Sequence, residues 1–87
     1  MRIRDGYILK EFGGDAVVIE SGAAGGRSSV IELNESGVIL WKAIENGADI
    51  PKLTKALTDE YDVDASTAEA DAQRFITTLK NAGVIAE

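Results

Sequence analysis

At 87 residues the chain has room for one domain around one modest core. It contains neither His nor Cys, so it lacks the commonest general base, the best nucleophile, the usual transition-metal ligands and any disulfide framework, and a stand-alone enzyme is not expected. The net charge of −6 is unevenly placed: residues 34–87 hold 5 basic and 10 acidic side chains, against 4 and 5 in residues 1–33, which argues against a partner whose surface is a phosphate backbone.

The opening residues, Met1 to Gly6, carry charge but no apolar segment of the kind a signal peptide needs. No apolar run approaches the roughly 18 residues of a membrane span. With cysteine absent as well, a reducing, cytoplasmic setting is the expectation. Tyr7 to Phe12 is a short β-prone run, Gly13-Gly14-Asp15 is a turn signal, and Ala16 to Glu20 is a second, more apolar run; together they predict a β-hairpin. Ser21 to Gly26, "SGAAGG", reads as a loop by composition. A third strand follows over 27–33, whose alternation puts Ser29, Ile31 and Leu33 on one face and Ser28, Val30 and Glu32 on the other. The N-terminal third is thus a three-stranded antiparallel sheet with one face to bury.

Asn34 is a good N-cap, and Leu33, Gly37, Leu40, Trp41 and Ile44 form the apolar stripe of a first helix that Asn46-Gly47 ends. Gly37 costs helix propensity and is expected to allow close approach to the sheet. Asp49 caps a second helix with Pro51 in its first turn and Ile50, Leu53, Leu57 and Tyr61 as its stripe. A third helix is expected over 65–82. "STAE", Ser66 to Glu69, matches a capping box, and Ala68, Ala72, Phe75, Ile76 and Leu79 form the buried face. Val84-Ile85 is an apolar tail able to pack back as a short strand. The fold class is α+β, a winged helix-turn-helix-like arrangement of a three-stranded antiparallel sheet followed by three helices, in a single domain over 1–87.

Few residues carry chemistry. The acidic cluster Asp59, Glu60, Asp62 and Asp64 fits no calcium loop, because position 6 falls on Thr67 or Ala65 and position 12 on Gln73 or Asp71. Capping and solvation account for it, and neither a metal nor a cofactor is expected. The N-terminal end of the third helix, which would enter a DNA major groove, carries Asp64, Glu69 and Asp71, with only Arg74 and Lys80 further along; nucleic-acid binding is therefore the weaker reading. Trp41, Tyr61 and Phe75 fall on apolar stripes and read as core rather than as a stacking platform. The third strand is either an inner or blunted strand, or an edge kept open for a peptide to add beside it. The third helix must lie near it to cover the same small core. The groove between would be walled by Ile31 or Val30 on one side and by Asp71, Arg74, Phe75 and Thr78 on the other.

The segment "IELNESGVILWKAIENGADIPKLTKALTDEYDVDASTAEADAQRFITTLKNAGVI", Ile31 to Ile85, is similar to the PqqD family. The resemblance rests on a strand ending "LNESG", a Trp-containing helix before a Gly turn, the connector "LTDEYDVD", and a helix spaced as Phe75, Leu79, Gly83, Ile85. "GDAVVIESGAAGGRSSVIEL" upstream fits the family's hairpin and third strand, so the likeness covers nearly the whole chain. It implies a precursor-peptide recognition element that binds the leader of a ribosomally made peptide and presents its core to a modifying enzyme, commonly a radical-SAM protein. It implies a recognition surface of Ser28, Ser29, Val30, Ile31, Glu32 and Leu33 with Asp71, Arg74, Phe75 and Thr78. An open edge of this kind would also let a second copy pair or swap.

Overall fold

In a computed structural model of the chain, residues 2–23 and 26–86 are described. Eight elements follow in order: β1 (Arg2–Ile3), β2 (Tyr7–Phe12), β3 (Asp15–Ala23), β4 (Gly26–Leu33), α1 (Glu35–Glu45), α2 (Ile50–Glu60), α3 (Ala65–Asn81) and β5 (Ile85–Ala86). The main sheet is antiparallel in the order β2-β3-β4, so β4 is an edge strand. β2 and β3 turn through Gly13 and Gly14, whose φ values of 56° and 87° suit the two-residue turn that right-twisted strands require.

Of the stretch expected as a loop, Ser21 to Gly26, residues 21–23 and 26 instead belong to strands. β3 runs to Ala23 and β4 starts at Gly26, with Ala23 opposite Gly26. Two register shifts, between Val18 and Ile19 and between Glu20 and Ala23, bend this longer hairpin. A second, two-stranded sheet was not foreseen: β1 pairs antiparallel with β5, Ile3 opposite Ile85, and the Arg4 N–H donates to the Val84 carbonyl at 2.8 Å. The apolar tail does pack back, but onto the first residues of the chain.

The helices start where side chains satisfy their free N–H groups. Asn34 accepts from the Gly37 N–H at 2.8 Å, Asp49 from the Lys52 N–H at 3.1 Å, and Asp64 from the Thr67 N–H at 2.8 Å. The capping box expected at Ser66 to Glu69 is therefore replaced by an Asp64 cap. Ser66 serves it by donating its hydroxyl to the Asp64 carboxylate at 3.0 Å. The ionised aspartate, an acceptor only, has room for both donors.

The core joins all three helices to the sheet's inner face. Trp41, Ile44, Leu53, Leu79, Val18 and Val84 are fully buried, with Ala16, Leu33, Leu40, Leu57, Ala68, Ala72 and Ile76 around them. Ala68 and Ala72, both at zero exposure, let α3 lie close against α2.

Candidate functional site

β4 leaves the core at Leu33, and α1 begins two residues later under its Asn34 cap. That abrupt turn puts the first turn of α1 beneath the end of β4. A Cβ on Gly37 would lie 3.2 Å from Leu33 Cβ and 3.3 Å from Asn34 Oδ1. A side chain there would crowd the β4–α1 junction, which glycine leaves clear, as its place in the sequence suggests.

Beside this junction a groove opens between β4 and α3. Its strand-side part, about 400 Å³, is lined by Ile31, Glu32, Leu33, Asn34, Gly37, Phe75 and Thr78. The adjoining part is lined by Ser36, Leu40, Asp71 and Arg74, and shares Asn34, Gly37, Phe75 and Thr78 with the first. The groove has an apolar wall on the strand side and a polar one further along α3. There Arg74 Nη1 lies 3.2 Å from Asp71 Oδ1, and the Thr78 hydroxyl donates to the Arg74 carbonyl at 3.0 Å. Phe75 is half-buried, with one part packed on the core and the rest facing the groove.

The sequence-derived residues Ile31, Glu32, Leu33, Phe75 and Thr78 therefore meet in one groove, and Asp71 and Arg74 line its continuation. Ser28 and Ser29 lie on β4 opposite Glu20 and Ile19, and Val30 lies between Ser29 and Ile31 on the same strand. The side chains of Ser28, Ser29 and Val30 lie outside the described residues. What sequence reasoning missed is the floor: Asn34, Ser36, Gly37 and Leu40, all from the cap and first turns of α1. The available signal was a glycine on an apolar helical stripe directly after a strand.

Close by, Tyr61 at the end of α2 donates its phenol to Glu35 at 2.8 Å, tying α2 to the start of α1. That hydrogen bond, with a smaller contribution from burial, raises the Tyr61 pKa above the ordinary phenol value. A larger hollow, about 470 Å³, lies between the β2–β3 turn and α1. It crosses the hairpin tip rather than running along an open strand edge. Among the described residues no three His, Cys, Asp or Glu side chains are grouped to hold a metal ion, and no helix is long and apolar enough to cross a membrane.

Residues 8–85 match the family described as coenzyme PQQ synthesis protein D, PqqD. The chain belongs to the PqqD family. Among solved structures, this PqqD-family fold superimposes on "TbiB1 in Complex with the TbiA(beta) Leader Peptide" with a TM-score of 0.79 at 24% identity, covering 100% of both chains. It is similar also to "Lasso peptide synthetase B1 complexed with the leader peptide", with a TM-score of 0.80 at 23% identity over 99% of this chain and 96% of that one. At such identities the likeness is one of fold. No curated protein matches this PqqD-family sequence.

Proposed function

We propose that this chain is a non-catalytic recognition element that binds the leader segment of a ribosomally synthesised precursor peptide. The leader adds as a strand beside β4, packs against α3, and is thereby presented to a modifying enzyme in the cytoplasm. The radical-SAM class is the enzyme type that the family resemblance suggests. The observation that carries the reading is the open edge of β4 running along a groove walled by Phe75 and Thr78 and floored by Gly37.

The physics of that arrangement favours an extended peptide. An edge strand offers unpaired N–H and C=O groups that any main chain can satisfy, while a side pocket selects particular side chains. Two solved relatives of the same fold are complexes with leader peptides, which supports a leader as the occupant here. About six main-chain bonds at roughly 0.5–1.5 kcal/mol each and one or two buried apolar side chains at roughly 1.5–3 kcal/mol each favour binding, and ordering a disordered leader takes several kcal/mol back. Affinity of about micromolar order follows, which suits a carrier that hands its cargo on.

The test is an amide NMR titration with the leader of the small peptide encoded nearest the gene. Saturable shifts confined to Ser28–Leu33 and the groove face of α3 are expected. Shifts absent with that leader but clear on adding the neighbouring enzyme would replace this reading with a docking subunit. Salt-sensitive shifts with random duplex DNA would replace it with a nucleic-acid module.

A further inference from the structure

We infer that the backbone of Glu32 fixes the register of the bound strand, and with it the side-chain pattern a leader must present; the inference rests on the strand-addition reading above. β2 and β3 are joined by the two-residue turn Gly13-Gly14. A two-residue turn closes with the N–H of its fourth residue bonded to the carbonyl of its first, so Phe12 and Asp15 form a hydrogen-bonded pair. Antiparallel pairs then alternate without interruption down to Tyr7 opposite Glu20. The main-chain groups of Val17 accordingly point at β2, and those of Ala16 and Val18 point at β4.

Ala16 faces Leu33 and Val18 faces Ile31, with no shift of register between them. Leu33 and Ile31 thus spend their N–H and C=O groups on β3. Glu32 sits between them opposite Val17, and its N–H and C=O point out from the free edge. In an added strand that continues the antiparallel order of β2-β3-β4, one residue X exchanges both of its main-chain bonds with Glu32.

Side-chain direction follows from the same pairing. Lys10, Val17 and Glu32 form a cross-strand row, while Ala16, Val18 and Leu33 are buried on the opposite face. X therefore extends that row on the outer face, next to the Glu32 carboxylate. Its two neighbours, one on each side, project on the inner face over Ile31, Leu33, Gly37 and Phe75. None of the ion pairs among the described residues involves Glu32. An acidic X would face it directly, and like charges opposite one another destabilise a sheet. The ligand class is then an extended segment with two apolar anchors spaced one residue apart around a basic or neutral X.

The test uses peptides selected on the full chain from a displayed library of random twelve-residue sequences. One enriched peptide is resynthesised with a single N-methyl group at each position in turn, which leaves the protein untouched. Affinity should fall roughly tenfold with the methyl on X and change little with it on either neighbour, whose N–H groups point away from β4. Glu32→Pro removes the outward N–H at a site where an edge strand tolerates proline, and should weaken binding by a similar factor, whereas Glu32→Ala should keep it for a neutral X. Enriched peptides that lose affinity with Phe75→Ala but show no alternation on N-methylation, or that bind Glu32→Pro unchanged, would overturn the register and leave strand-and-groove binding standing. No enriched peptide at all would remove the strand-addition reading, and the register with it.

Discussion

Gly37 is the residue on which fold and groove both turn. A methyl group there would sit 3.2 Å from Leu33 Cβ, and Leu33 is buried, so the strain falls on the β4–α1 junction. Alanine would recover about 1 kcal/mol of helix propensity, which roughly offsets that crowding. Gly37→Val adds a branch without that gain and should cost on the order of 1–3 kcal/mol in urea unfolding, while also narrowing the groove floor. A valine variant as stable as the parent would mean the close approach is not what the glycine serves. Asp64 gives a pH-dependent counterpart. The Thr67 N–H, aided by the Ser66 hydroxyl, holds its carboxyl below the ordinary aspartate value. A depressed folded-state pKa contributes stability above the unfolded value that is lost as pH falls through the folded one. Urea unfolding at neutral pH and again below about pH 4 should therefore show part of the acid loss to be removed in Asp64→Asn, which keeps the capping oxygen without the titration.

At the scale of elements, α3 has two jobs on two faces. Ala68, Ala72, Ile76 and Leu79 are buried, whereas Asp71, Arg74, Phe75 and Thr78 line the groove. Leu79→Ala should cost about 2–5 kcal/mol of stability and leave the affinity of the folded fraction for peptide nearly unchanged. Phe75→Ala, at a half-buried position, should cost less stability and lower peptide affinity about tenfold or more. Equal effects of both variants on affinity would mean that α3 acts only as scaffold. The buried stripe was readable from its helical spacing, but Phe75, expected on that stripe, sits at its margin, half-buried and lining the groove. The caps at Asn34 and Asp49 were accessible for similar local reasons, whereas the Asp64 cap and the edge position of β4, which periodicity left open, were not. Elements whose signal is distant or compositional were not. β1 is two residues long and exists only because β5 arrives from the other end of the chain. The Ser21–Gly26 stretch has the composition of a loop, but each strand extends because the other continues beside it. The groove floor escaped for the same reason, since it depends on how sharply α1 folds under Leu33.

For the whole molecule, charge and edges act against each other. An open β4 edge is a template for a second copy as well as for a peptide. Each copy carries −6, and the excess acid lies in residues 34–87, which contain the helices beside that edge. Two copies meeting through β4 would bring like-charged groove walls together, a repulsion that added salt screens over roughly 10 Å at 0.1 M and less at higher salt. Self-association through β4 should therefore be weak at low salt, stronger as salt rises, and displaced by saturating peptide, because both partners use the same Glu32 groups. Sedimentation velocity across a salt series, with and without a selected peptide, reads all three. The sign of the salt effect separates this from peptide binding, since a basic X in the groove would bind less tightly as salt rises. A dimer that persists with peptide fully bound would place its contact elsewhere, with the β2 edge and the exposed Phe12 the first surface to test by Phe12→Ser. A dimer that dissolves on adding peptide would show that the free protein guards its binding edge with a second copy of itself, and that the leader must compete for the edge it occupies.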